Sequence, residues 1–380
     1  MSKAMVVPQT SPKAGYVAHQ VEIDEAVRRV LESGWYILGH EVELFEQEFA
    51  EYVGTGHAIG VANGTDALEL ALRSCKIGPG DLVFTVSHTA VATVAAIELV
   101  GATPVFVDID LKTYTIDPNC IEVALKNPPK GTPKAIIPVH LYGHPANMPA
   151  VLELANRFGL IVIEDCAQSH GASLQKRRTG TWGHMAAFSF YPTKNLGTFG
   201  DGGAVVTDDA ELAEKARTLR EYGWRERFVS SFTGMNSRLD ELHAAILRVK
   251  LQYLDEENER RRTIAAQYSE VLRSLPIRLP EVHPDVAHVY HQYVIGTVDR
   301  DGLRTCLKSH GIATAIHYPV PVHLQPAYRR LTIRSEDLLH TEQAAREILS
   351  LPMFAQLTDQ EVRFVTQVIQ GQSAEKESLN

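Results

Sequence analysis

The chain has 380 residues, 44% of them hydrophobic and 22% charged, with a net charge of −9. That length and balance fit a soluble globular enzyme of two domains, or one large domain with an appendage. The negative field argues against nucleic acid or an anionic membrane surface as partner. No apolar run reaches the roughly 20 residues of a membrane span, and the N-terminus lacks a signal core, so a cytoplasmic location is expected.

From about residue 20 to 235, amphipathic stretches alternate with short apolar runs. The runs 82-LVFTV-86, 104-PVFVDI-109, 135-AIIPVHL-141, 160-LIVIED-165, 186-AAFSFY-191 and 203-GAVVT-207 predict buried strands. Helices are predicted between them at 65-TDALELALRSC-75 and 149-PAVLELANRFG-159, the second ended by glycine. Continuous apolar strands alternating with helices imply an α/β fold with a mostly parallel sheet covered on both faces. Next, Ser237 is positioned to cap one long helix, 237-SRLDELHAAILRVKLQYLDEENERRR-262, leading out of the large domain. The remainder, with 290-YHQYVIGTV-298, 312-IATAIHYPV-320 and helices near 301–311 and 340–350, predicts a smaller C-terminal α+β domain. The division is placed at 1–250 and 251–380, with the N-terminal segment free to pack on the small domain. The tail, 371-GQSAEKESLN-380, reads as disordered.

Chemistry is sought where parallel strands run out at their C-terminal ends. One strand ends in Glu164-Asp165 and then reaches Gln168. A buried carboxylate there needs a cation or hydrogen-bond donors, although a lone aspartate is more often a helix cap. Asn63, Gly64 and Thr65 precede a helix, whose free N–H groups and positive dipole end form an anion cradle, most simply for phosphate. The third stretch is 188-FSFYPTKNLGTFGDGGAVVT-207: Lys194 follows a strand, Ser189 can add a hydroxyl to the cradle, and Gly197, Gly200, Gly202 and Gly203 let backbone lie close to a planar ligand. A lysine, a buried aspartate and a phosphate cradle together match the needs of pyridoxal 5′-phosphate (PLP). The lysine forms a Schiff base, the carboxylate keeps the pyridine nitrogen protonated, and the cradle anchors the phosphate. Lys194 is also placed to move the substrate's Cα proton.

In this order, 164-EDCAQSHGA-172, 188-FSFYPTKNLGTFGDGGAVVT-207 and 234-GMNSRLDELHAAIL-247 resemble the DegT/DnrJ/EryC1/StrS family of sugar aminotransferases. The likeness runs from 33-SGWYILGHEVELFEQEFA-50 to 317-HYPVPVHLQPAY-328. It implies a fold-type-I, aspartate aminotransferase-like PLP enzyme. By that resemblance Lys194 carries the cofactor and Asp165 partners the pyridine nitrogen. Gln168 lies near the ring, and Gly64, Thr65 and Ser189 hold the phosphate. Asn236 reaches the phosphate of the neighbouring subunit, making the site composite and the enzyme a homodimer. Tyr191, His317 and Tyr318 contact the sugar. Where many relatives stack an aromatic residue on the cofactor, this chain has Ala90, and His88 either supplies the ring contact or simply hydrogen-bonds in the loop.

The resemblance further implies L-glutamate as amino donor and a nucleotide-linked keto sugar as acceptor, most similar to dTDP-3-keto-6-deoxyhexoses. A C-4 transaminase acting on a UDP- or GDP-linked 4-keto-6-deoxy sugar is the alternative, and a non-enzymatic regulator or sugar-binding protein the third. The setting implied is lipopolysaccharide O-antigen, surface glycan or antibiotic deoxysugar synthesis. No metal site is expected, since the 16 histidines and four cysteines show no ligand spacing. Cys166 reads as a core filler rather than a nucleophile, and 176-KRR-178 as a solvated turn rather than a diphosphate site.

Overall fold

In the computed structural model, residues 5–331 and 338–377 are described. Seven strands form the main sheet: β1 His57–Val61, β2 Asp81–Val86, β3 Thr103–Val107, β4 Thr132–Ile136, β5 Ile161–Asp165, β6 Met185–Ser189 and β7 Gly203–Thr207. Their spatial order is β1-β7-β6-β5-β4-β2-β3. β7 runs antiparallel to both neighbours, and the other pairings are parallel.

Side chains alternate between the sheet's two faces, as a pleated strand demands. Leu82, Phe84, Val86 and Val162 enter one core with the helices Pro118–Lys126 and Met148–Phe158. Val83, Ile163, Met185, Ala187 and Val205 enter another with the helices Gly64–Ser74 and Ala210–Arg220. A third core joins Ala186, Phe188, Ala204 and Val206 to the helices His40–Val53 and Glu241–Leu251. Coverage on both faces is why these strands read as continuous apolar runs.

A separate core gathers Ile264, Tyr268 and Leu272 with the antiparallel pair Tyr293–Gly296 and Ile348–Leu351, and Val7 of the N-terminal segment packs inside it. The helix Leu254–Leu272 spans both bodies, with Leu254 in the core of the main sheet.

Five expectations need correction. The single helix expected over 237–262 is two, Glu241–Leu251 and Leu254–Leu272. Ser237 caps neither; its Oγ accepts the Ala62 N–H at 3.1 Å. The break falls where Tyr253 stacks on His19, ring centroids 3.9 Å apart, tying the chain to the N-terminal helices. Among the described residues, the stretch 312–320 pairs only at Ile312 with Val7 and Ala315 with Ser350. The helix placed at 340–350 ends at Glu347 and turns into the strand Ile348–Leu351. Residues 371–377 continue the helix Asp359–Glu377, while 378–380 lie outside the described residues.

Glu164 points away from Asp165 and is fully buried. Its carboxylate accepts the N–H groups of Gly180, Trp182 and Gly183 at 2.7–2.9 Å. His140 takes the Ala146 N–H on Nδ1 and therefore donates from Nε2 to Glu164 at 2.9 Å. Although His140, Glu164 and Cys166 cluster within 4.8 Å, the carboxylate is already saturated, and burial pushes the Cys166 thiol well up. Glu164→Ala is expected to destabilise the protein by about 3 kcal/mol or more, read from urea unfolding, because it leaves four buried donors without their acceptor.

Candidate active site

Asp165 ends β5 at the carboxyl edge of the sheet and is buried. Burial raises its pKa, while two donors favour the ionised form. Thr93 donates to Oδ2 at 2.8 Å and is itself bonded to Thr89 at 2.9 Å. The Ala167 N–H reaches Oδ1 at 3.1 Å.

Lys194 lies on the loop after β6, its N–H bonded to the Tyr191 carbonyl at 2.8 Å. Burial lowers its amine to about 8, and the Asp165 carboxylate pulls it back up. His170 and His317 feel the same charge: burial first, and the lysine next, hold them near about 3 and about 4. His291 is lowered well below its ordinary value for the same two reasons. The lysine thus sits among neutral imidazoles beside a single-charged carboxylate.

The helix Gly64–Ser74 starts at the same sheet edge. The Asn63 side chain accepts the Asp66 N–H at 2.9 Å, and its carbonyl accepts from Ala67. The N–H groups of Gly64 and Thr65 precede the first helical bond and belong to no helical ladder. A Cβ on Gly64 would lie 2.7 Å from the Cβ of Ser189, so glycine is what brings this helix end against the serine. Likewise a Cβ on Gly203 would meet the Asn63 carbonyl at 2.4 Å, and one on Gly197 the Tyr191 carbonyl at 2.6 Å. Gly197 and Gly203, expected to accommodate a ligand, are therefore required first by backbone packed on backbone, whereas Gly200 and Gly202 make room for the side chains of His243 and Leu239.

Around Gln168 a second set of groups converges. Its Oε1 accepts the Tyr142 N–H at 2.7 Å, and its Nε2 donates to the Tyr318 hydroxyl at 3.1 Å. The Tyr142 hydroxyl donates to the His317 carbonyl and accepts from His88 Nε2 at 2.8 Å. His88 is buried, with its ring tilted against Tyr114 and its Nδ1 unpartnered. His317 Nδ1 meets Ser350 Oγ at 2.8 Å. Tyr191 is 52% exposed on the rim.

Asn236 stands apart: it is exposed, on a segment bridged to Glu221, and no hydrogen bond among the described residues ties it to this cluster. The basic run 176–178 is structural, with Arg177 over the Trp182 ring and Arg178 over Tyr52. Sequence reasoning missed Thr93, Tyr142, His170 and His291. His170 lay within the 164–172 motif, and Thr93 one turn beyond Thr89. Tyr142, held at φ 59°, left no signal.

Comparison with known proteins gives this arrangement a relationship. The DegT/DnrJ/EryC1/StrS aminotransferase family matches residues 18–370. The chain belongs to that family. It is 51% identical over 350 residues to a dTDP-3-amino-3,4,6-trideoxy-alpha-D-glucose transaminase of Streptomyces venezuelae, covering 91% of each chain. A crystal structure of S. venezuelae DesV in complex with ketimine intermediate superposes with a TM-score of 0.93 at 48% identity, covering 97% of this chain and 98% of that one. NtdA from Bacillus subtilis with bound cofactor PMP superposes at 0.85 with 32% identity, over 93% of this chain and 82% of that one. The fold is that of the fold-type-I aminotransferases, and the protein is an aminotransferase of this family.

Proposed function

We propose that the enzyme binds PLP and carries an amino group from L-glutamate to the 3-keto group of a dTDP-linked 6-deoxyhexose. The observation that carries the cofactor is the convergence of a lowered lysine, a buried carboxylate and a free helix N-terminus on one sheet edge. Similarity to the dTDP-3-amino sugar transaminase supports the acceptor and the carbon. Lys194 and Asp165 are both retained, which disfavours a regulator without catalysis.

Bound there, the cofactor supplies an electron sink for the pair released at the substrate's Cα–H bond. Asp165 holds a protonated ring nitrogen, and Thr93 and Ala167 keep the carboxylate ionised against burial. Gly64, Thr65 and Ser189 would hold the phosphate, and Gln168 would contact the cofactor. Lys194 anchors the cofactor and then, as a neutral amine, takes and returns the proton. Tyr191, His317 and Tyr318 face the sugar. The test is a panel of keto-sugar nucleotides with glutamate, scored by product mass and by the position of the new amine. Amination at C-4 alone, on a UDP- or GDP-linked sugar, would overturn the regiochemistry.

A homodimer with shared sites belongs to the same reading, set in amino-sugar synthesis for a surface glycan such as O-antigen, in the cytoplasm. Trp35, Tyr36, Tyr191, Phe199 and Phe228 are exposed by 42–74%, more aromatic surface than a monomer usually shows. Mixing Lys194→Ala with Asn236→Ala subunits is expected to restore activity, because one site of each mixed dimer then has both wild-type residues. With random exchange the yield is about a quarter of wild type. No recovery would place Asn236 in its own subunit's site or outside it.

A further inference from the structure

Ser87 immediately follows β2, and His323 lies five residues beyond Tyr318. Both are buried, at 0% and 1% exposure. The His323 N–H donates to Ser87 Oγ at 2.9 Å, and that oxygen lies 2.7 Å from His323 Nδ1. Ser87 Oγ accepts the backbone N–H and can donate its own proton to Nδ1, the arrangement that puts the ring proton on Nε2, where a carboxylate oxygen faces it. Nε2 faces Glu342 Oε1 at 3.4 Å. A further bond joins the Val322 N–H to the Ser87 carbonyl at 3.1 Å.

Glu342 belongs to the helix Leu339–Glu347, whose start is held by the neighbouring strand. Asp108, just after β3, accepts the N–H groups of His340 and Thr341 and the Thr341 hydroxyl, each at 2.8 Å. The carboxyl ends of β2 and β3 therefore grip one stretch of chain at two points. Its other end carries His317 and Tyr318, tied to Tyr142 and Gln168. Residues 87–89 lead directly into the Thr89–Thr93–Asp165 chain of hydrogen bonds.

We propose that His323 is a positioning residue: bonded through Nδ1 to Ser87, with Glu342 facing its other nitrogen, it clamps the segment bearing His317 and Tyr318 onto the end of β2 and so fixes the sugar-facing wall of the site. The proposal rests on the sugar aminotransferase reading for what that wall binds. The clamp itself does not depend on it. The triad of serine, histidine and carboxylate is not a hydrolytic centre, because Ser87 has no access to solvent. Burial lowers His323 and Glu342 pulls it back up, in keeping with a neutral bridging ring.

Two substitutions separate the halves of the bridge. The side-chain oxygen of asparagine falls where Nδ1 lies and can accept from Ser87, whereas glutamine reaches only the Nε2 position. In the holoenzyme, hydrogen exchange over residues 317–324 is expected to quicken about tenfold or more in Ser87→Ala, His323→Gln and His323→Ala, and to stay near wild type in His323→Asn. Alongside, kcat/KM for the keto sugar is expected to fall roughly 10–100-fold in the first three, as a misplaced wall implies. His323→Asn should recover most of it at a similar thermal midpoint. Unchanged exchange in Ser87→Ala and His323→Gln, or His323→Asn behaving like His323→Gln, overturns the clamp. Should wild type itself transfer no amine, the aminotransferase reading fails, and the exchange pattern still decides the clamp.

Discussion

Lys194→Ala is expected to remove transamination altogether, with kcat down by at least about 10⁴-fold, while the fold survives. General acid–base catalysis by one positioned group is worth roughly 10²–10⁴, and on the proposed reading this lysine is the covalent anchor as well. Its structural contribution is small: the bond from its N–H to the Tyr191 carbonyl is a backbone bond that alanine keeps. Losing a poorly solvated amine should leave the thermal midpoint level or raised. Lys194→Arg is expected to fail equally, because a permanently charged guanidinium neither forms the Schiff base nor accepts the proton. Borohydride reduction and peptide mapping supply the check. A pyridoxyl adduct on Lys194 in wild type, absent from Lys194→Ala, supports the assignment. An adduct elsewhere, or activity in the alanine variant, ends it.

The same lysine sets a pH signature. Its folded value, about 8, lies below the ordinary value near 10.4 of an unfolded lysine. The unfolded chain therefore binds more protons across that window, so stability of the cofactor-free protein should rise with pH from about 8 upward. Lys194→Met, measured by urea unfolding at both ends of the window, should flatten that rise.

How much of this was legible beforehand depended on whether a residue's role was local. Five of the six predicted strands appeared close to where they were read, because strands buried on both faces are apolar throughout. The one read at 135–141 lies at Thr132–Ile136, where Thr132, Pro133 and Lys134 are not fully buried and gave no apolar run. β1 was missed since 57-HAIGV-61 is short and interrupted by Gly60, where a Cβ would lie 2.9 Å from Leu239. That glycine answers to a residue nearly 180 positions away, which no local pattern reports. Ser237 looked like a helix cap, yet Ala62 had the stronger need for its hydroxyl. Lys194, Asp165 and Gly64 stood out because each lies at a strand end, a helix start or the loop just after a strand, where topology brings them to one sheet edge. Glu164 was read together with Asp165, but alternation sends it to the opposite face, where it organises residues 180–183. Tyr142 acts through contacts across the sheet edge, and nothing in its neighbours' sequence marks it; Thr93 was marked only by its place one turn beyond Thr89.

Asp165→Asn is the second large loss expected, roughly 10²–10⁴-fold in kcat/KM. Breaking a buried charge pair costs about 3–5 kcal/mol, and each 1.36 kcal/mol is a decade in rate. Asparagine is nearly isosteric and can still accept the Ala167 N–H, so the damage should be electrostatic rather than structural, with little change in thermal midpoint. Thr93→Val then tests the mechanism from outside the carboxylate. Removing the hydroxyl withdraws a donor that favours the ionised form, so the carboxyl pKa must rise further. Loss of activity on the acid side should begin at higher pH in Thr93→Val than in wild type, with an overall drop of about tenfold, the size of one hydrogen bond to a charge. A uniform drop with an unmoved acid limb would falsify the claim that Asp165 must be ionised to act. The remaining explanation for a silent Asp165→Asn would then be a carboxyl that merely fills space beside Thr93.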